Sequence, residues 1–172
     1  MSINAIKKSS GFTLLEVMIA MVIFSIGLLG LAGIQAVSLN NNHSAYTRTV
    51  SMQLAYNIAD VIRTSTDNAG LVTGSFDAVT SSIPSTAPTS CVQKNGGGAP
   101  NCNDAVLASF EIYHWKKRIE DTLPSGLGTI SKTGDVYTIT IMWDEDRTGA
   151  TGEACGSNST TDLKCYSLEI QT

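Results

Sequence analysis

A single carboxylate at the head of a long apolar run constrains this chain more than any other feature. From Val17 to Ile34 no residue is ionisable, and the run follows directly on Gly11-Phe12-Thr13-Leu14-Leu15-Glu16. Counted from Phe12, the stretch covers about 30 Å as a helix, enough to cross a bilayer. A charge held in such a span costs about 2.5 to 3.5 kcal/mol on insertion scales, so Glu16 requires either a partner or a function. Lys7 and Lys8 precede the run and no Lys or Arg follows it until Arg48. That asymmetry places the N-terminus on the cytoplasmic side and the bulk of the chain across the membrane.

Cleavage can create the missing partner. If a peptidase cuts after Gly11, Phe12 gains an α-amino cation within one helical turn of Glu16, and the same cation can pair with Glu16 of a neighbouring copy. The order Lys7, Lys8, Ser9, Ser10, Gly11, then Phe12-Thr13-Leu14-Leu15-Glu16-Val17 and an apolar helix resembles the class III signal of the type IV pilin superfamily, which includes the pseudopilins of type II secretion. The resemblance implies that a membrane aspartyl prepilin peptidase cleaves between Gly11 and Phe12 and N-methylates Phe12, and that Glu16 selects the incoming subunit during assembly. An ordinary secretory signal has a core of about 7 to 15 residues with its cleavage site after it; here the apolar run is longer and the glycine comes first. A plain single-span anchor tolerates the sequence but does not call for Glu16 behind Gly11.

With 172 residues, the chain has room for this span and one small domain, whose core removes about two thirds of its unfolded surface from water. The expected organisation is a leader over 1–11, the transmembrane half of a long helix over 12–39, and a periplasmic domain over 40–172. Cys91, Cys102, Cys155 and Cys165 show none of the close spacings of zinc ribbons or thioredoxins, and an even number in an exported domain suggests disulfides. Three pairings are possible. Cys91 with Cys102 and Cys155 with Cys165 is the expected one, because each pair brackets a Gly/Asn/Ser-rich loop with little core of its own. Each such bridge contributes about 2 to 3 kcal/mol by restricting the unfolded chain.

Charge and motif content narrow the function. Removing Lys7 and Lys8 with the leader leaves 9 basic against 15 acidic residues, or −6, a poor balance for binding nucleic acid. The one basic run, Lys116-Lys117-Arg118, is flanked by Glu111, Glu120 and Asp121 and is expected on a solvated helix face. The sequence contains no nucleophile elbow, phosphate-binding loop or zinc-protease motif, and His43 and His114 lie far apart on different helices. Asp144, Asp146 and Thr148 with Gly149 have the opening rhythm of a calcium loop, yet Cys155 stands where the bidentate Glu belongs. The cluster is expected to be a polar connection between two strands. No metal, no cofactor and no enzymatic activity are expected.

The periodicity of apolar residues gives the architecture. Val50, Leu54, Ile58 and Val61 or Ile62 recur every three or four residues, so the anchor helix is expected to run on to about Thr66, roughly 80 Å in all, with Gly70 and Gly74 marking its exit. Gly27, Gly30 and Gly33 within the span invite close helix packing or bending. Residues 80–103 read as a long loop. Asp104 reads as an N-cap before a stripe of Ala108, Ile112, Trp115, Ile119 and Leu123 that ends at Pro124. A strand through Ile130, a turn at Gly134-Asp135, a strand in which Tyr137, Ile139, Ile141 and Trp143 share a face, and a last strand with Tyr166, Leu168 and Ile170 in register complete the pattern. The expected fold class is α+β, a long N-terminal helix on a small antiparallel sheet with an additional helix, which again resembles a pilin.

Within that superfamily, Glu16-Val17-Met18-Ile19-Ala20, the run Gly27 to Gln35, the Trp115 helix leading into Leu123-Pro124-Ser125-Gly126, and Thr138 to Asp144 are most similar to the minor pilins. That likeness implies a subunit incorporated with other minor pilins and the major pilin at an inner-membrane assembly platform, priming the pilus and presenting a tip adhesin. A pseudopilin of a type II secretion system is the alternative, and it shares Gly11, Phe12 and Glu16.

Overall fold

The computed structural model describes residues 11–67, 74–88, 91, 102–156 and 160–171. The chain forms α1 (Leu14–Asp67), β1 (Ala78–Val79), α2 (Asp104–Thr122), β2 (Leu127–Thr133), β3 (Val136–Trp143) and β4 (Lys164–Gln171). Helix α1 is continuous through Gly27, Gly30 and Gly33, where an added methyl group would meet nothing. Two compact units divide between His43 and Ser44. In the first, the large apolar side chains from Phe12 to Leu39 are exposed.

The second unit is built on an antiparallel sheet in the order β1-β2-β3-β4. Alternation along β3 puts Tyr137, Ile139, Ile141 and Trp143 on one face, all buried, with Ile130 of β2 and Ile170 of β4 beside them. Leu54, Ala55, Ile58, Ala59 and Ile62 of α1 complete the core with Ala108, Trp115 and Ile119 of α2, Phe76 and Leu123. The long helix therefore lies on the sheet with the second helix beside it, a pilin-like α+β fold. The Trp115 indole N–H donates to the Leu54 carbonyl at 2.9 Å, joining the two helices inside the core.

Two glycines set how closely α2 approaches β2. A Cβ on Gly126 would lie 2.5 Å from the Ile119 carbonyl oxygen, and one on Gly128 would lie 2.6 Å from Ile119 Cδ1 and 2.7 Å from the Trp115 ring. The segment Leu123-Pro124-Ser125-Gly126-Leu127-Gly128 thus ends the helix and makes the room its side chains need. Gly134 has φ 62° and opens the two-residue turn between β2 and β3, the glycine-first pattern of a tight hairpin.

Several expectations are corrected. The N-cap of α2 is Asn103, whose Oδ1 accepts from Val106 N at 2.9 Å; Asp104 is the first helical residue, where its carboxylate faces the positive end of the helix dipole. Lys116 is not on a solvated face. It is 3% exposed, and its ammonium donates to the carbonyls of Thr80 and Ser82, while Lys117 pairs with Glu120 nearer the surface. Its position beside Trp115 turns the aliphatic stem inward, and the chain leaving β1 supplies oxygens for the head. Burial pushes the Lys116 pKa down. The short β1, paired with Ser131 and Ile130, has no sequence signature because two residues show no alternation. Gly70 and most of the loop after Pro88 lie outside the described residues.

The structure joins Cys91 to Cys102 and Cys155 to Cys165, with Cα separations of 5.8 and 5.0 Å. The second bridge ties the β3–β4 connection to β4 beside a small cluster of Met142, Ala150 and Leu163.

Gly126→Ala should cost about 1 to 3 kcal/mol, because its methyl meets backbone that cannot rotate away. Thermal melting of the full chain in detergent, followed by near-ultraviolet circular dichroism, should show a lower midpoint. Gly30→Ala, where space is open, should leave that midpoint unchanged.

Candidate functional site

Helix α1 begins with a local arrangement written in six residues. Gly11, Phe12 and Thr13 are not helical, and Leu14 is the first helical residue. The Thr13 carbonyl accepts from the amides of Glu16 at 3.1 Å and Val17 at 3.3 Å, and Thr13 Oγ1 also accepts from Glu16 N at 3.3 Å. Thr13 is therefore the N-cap and Glu16 the third helical residue, the Thr-x-x-Glu spacing of a capping box. A carboxylate in the first turn faces the unpaired amides and the positive end of the helix dipole. Part of the cost of placing Glu16 in an apolar helix is thereby offset by the backbone of that helix.

Phe12 and Val17 flank this cap at the two positions of a hydrophobic staple. Together with Glu16, Ala20, Met21 and Phe24 they line an open groove of about 610 Å³. Phe12 is 82% exposed and belongs to a non-helical segment next to the scissile position read from the sequence. The structure thus gathers Gly11, Phe12 and Glu16 at one helix end, with Thr13 added. Thr13 escaped the sequence reading although its signal, a Thr three residues before Glu at the start of an apolar run, is legible.

Glu16 is the one Asp, Glu, Lys or Arg between Gly11 and Arg48. Helix α1 is long and apolar enough to cross a membrane, with an 18-residue window of mean hydropathy 2.6 and none of that window buried in the protein. A helix of this kind suits membrane anchoring.

The remaining candidate residues lie elsewhere. His114 on α2 stacks near Phe110, with ring centroids 4.2 Å apart, and His43 belongs to α1. Among the described residues no group of three or more His, Cys, Asp or Glu could hold a metal ion. Asp144 is turned to the protein itself: Oδ2 accepts from Gly149 N at 2.7 Å, and Oδ1 from Thr148 N at 3.1 Å and the Thr148 hydroxyl at 3.3 Å. Its oxygens fasten the connection that leaves β3. Burial works to raise the Asp144 pKa, but the amides of Gly149, Thr148 and Ala150 and the Thr148 hydroxyl outweigh it and hold the carboxyl below its ordinary value. Glu145 accepts from Ser44 of α1, fixing the same connection to the helix.

Residues 6–32 match the family model described as the prokaryotic N-terminal methylation motif. No curated protein and no solved structure matches the chain. The motif, with the capped helix behind it, supports a place in the type IV pilin superfamily and a precursor that prepilin peptidase processes before assembly with pilus components. Pilins and pseudopilins share this motif.

The folded pKa of Asp144 lies below the unfolded value of about 3.9, so its contribution to stability is complete above that value and is lost as the pH falls through the folded one. Asp144→Asn should therefore melt at a lower temperature than the wild-type chain at pH 7. The gap between the two should close as the pH is taken below about 3.9, when melting is followed in the same detergent.

Proposed function

We propose that this chain is a minor subunit of a type IV pilus, similar to the pilus modification protein PilV, and that it acts by assembly and carries no catalytic activity of its own. The observation that carries the proposal is Glu16, a lone carboxylate at the capped start of a long helix that has no other Asp, Glu, Lys or Arg before Arg48, four residues from Phe12. Prepilin peptidase cuts between Gly11 and Phe12 and methylates the new amine. Before assembly the chain spans the inner membrane once, with the domain beyond Asn40 in the periplasm. On extraction from the bilayer, Glu16 meets the Phe12 amine of an adjacent subunit, an attraction that is large where water is excluded.

Packing of this kind joins different surfaces of neighbouring subunits, so it does not close on itself and propagates as a helical filament. The chain takes its place with other minor pilins and the major pilin at the assembly platform, primes the pilus and presents an adhesin at the tip. The segments most similar to minor pilins, from the Gly27 to Gln35 run to Thr138 through Asp144, favour this reading over a pseudopilin. Deletion separates the two. Loss of surface pili and twitching supports the pilus, whereas loss of secreted enzymes with pili intact supports the secretion machine.

Glu16 lies well before the folded domain in the sequence, so its role belongs to assembly. Glu16→Ala and Glu16→Gln should both leave the precursor cleaved and the domain folded, while each lowers the amount of chain in sheared filaments. Immunoblots of sheared and cell-bound fractions measure this. Wild-type incorporation of both variants would remove the charge as the recruitment signal.

A further inference from the structure

The sheet ends at β4, and we propose that the outer edge of β4 takes up an extended segment from a different subunit of the filament, a strand that alternates apolar and polar residues and carries a basic residue opposite Glu169. The inference rests on the filament reading above.

Strand β4 pairs with β3 over its whole length without a bulge, from Trp143–Lys164 to Val136–Gln171. Its approach is paired with Gly152, whose carbonyl accepts from Leu163 N at 2.8 Å, and the Cys155–Cys165 bridge holds the same connection against its first residues; from Tyr166 to Gln171 the other side carries no backbone hydrogen bond among the described residues. The opposite edge of the sheet is covered differently: β1 pairs with Ile130 and Ser131, and the Asp77 carbonyl accepts from Lys132 N at 3.0 Å. Long open edges are normally blunted by proline, a bulge, charged side chains or a covering loop. Between Tyr166 and Gln171 the one such device is the charge of Glu169, which disfavours a like-charged neighbour and leaves the edge open to a basic one. An unpaired row of amides and carbonyls is satisfied by another extended backbone, and strand addition is how such edges bind.

The side chains specify the occupant. On the core side Tyr166 and Leu168 are only partly buried, so apolar residues of an added strand would finish their cover. The outer face is formed by Leu127, Thr129, Ser131 and Thr133 of β2, Val136, Thr138, Thr140 and Met142 of β3, and Cys165, Ser167, Glu169 and Gln171 of β4. Glu169 is the single charge on it. A basic residue directly across from Glu169 would supply the counter-charge, a pairing that stabilises neighbouring strands. A second copy does not provide it. Antiparallel pairing of two β4 strands about a two-fold axis keeps the same faces together, so Glu169 would meet Cys165, Ser167, Gln171 or another Glu169, while Lys164 points to the core side.

Hydrogen–deuterium exchange read by mass spectrometry on the full chain tests this. The chain is compared in detergent micelles and in sheared filaments, with the β3 peptide as internal reference. Amides of β4 should exchange roughly tenfold more slowly in filaments relative to that reference, and Glu169→Lys should return them to the rate seen in detergent while the chain stays folded. Equal β4 exchange in the two states would overturn the inference and leave the filament reading intact, as would unchanged protection in Glu169→Lys. Protection already present in detergent and lost on dilution would make the occupant a second copy and overturn the assignment to a different subunit. Absence of the chain from sheared filaments would overturn the filament reading, and this inference with it.

Discussion

A carboxylate in an apolar helix is stable only when something else answers its charge, and the N-terminal part of this protein is organised around that requirement. Thr13 caps the helix, so that Glu16 falls in its first turn, at the positive end of the helix dipole. The dipole answers part of the charge and leaves room for an amine to answer the rest. A neutral residue at position 16 would anchor as well or better, so the carboxylate makes sense where the amine of a processed Phe12 is brought near it. In the filament proposed above, cleavage supplies the amine, the cap places the carboxylate, and assembly depends on their pairing.

The same helix serves a second purpose in the domain. The apolar run ends at Ile34, and beyond Ser44 the sequence is amphipathic, with Leu54, Ile58 and Ile62 binding the helix to the sheet. The domain is small, and much of its definition comes from close approach and polar fastening. Gly126 and Gly128 allow α2 to sit on β2, and Lys116 ties the chain leaving β1 to α2. Asp144 organises the exit of β3, and the Cys155–Cys165 bridge returns that long connection to β4.

The features legible in the sequence were those repeated along the chain. The spacing of Val50, Leu54 and Ile58 gave the second part of α1, and alternation from Tyr137 to Trp143 with Gly134-Asp135 before it gave the hairpin of β2 and β3. Single-residue matters were less legible. Asn103 and Asp104 are both good N-cap residues, and the structure uses the earlier one, leaving Asp104 to the dipole. Lys116 looked solvated because its neighbours are charged; its burial depends on carbonyls of Thr80 and Ser82, more than thirty residues away in sequence. Strand β1 was invisible because pairing with β2 alone defines it. At the N-terminus the acidic residue was evident and the threonine that positions it was not.

The role proposed for Glu16 requires a new amine at Phe12, and the most direct measurement is the intact mass of this chain recovered from cells that assemble it, with sequencing of its N-terminal peptide. A chain beginning at N-methylated Phe12, without Met1 to Gly11, is the result expected. An assembled chain that retains Met1 and its two lysines would leave Glu16 without the partner proposed for it and would contradict the account.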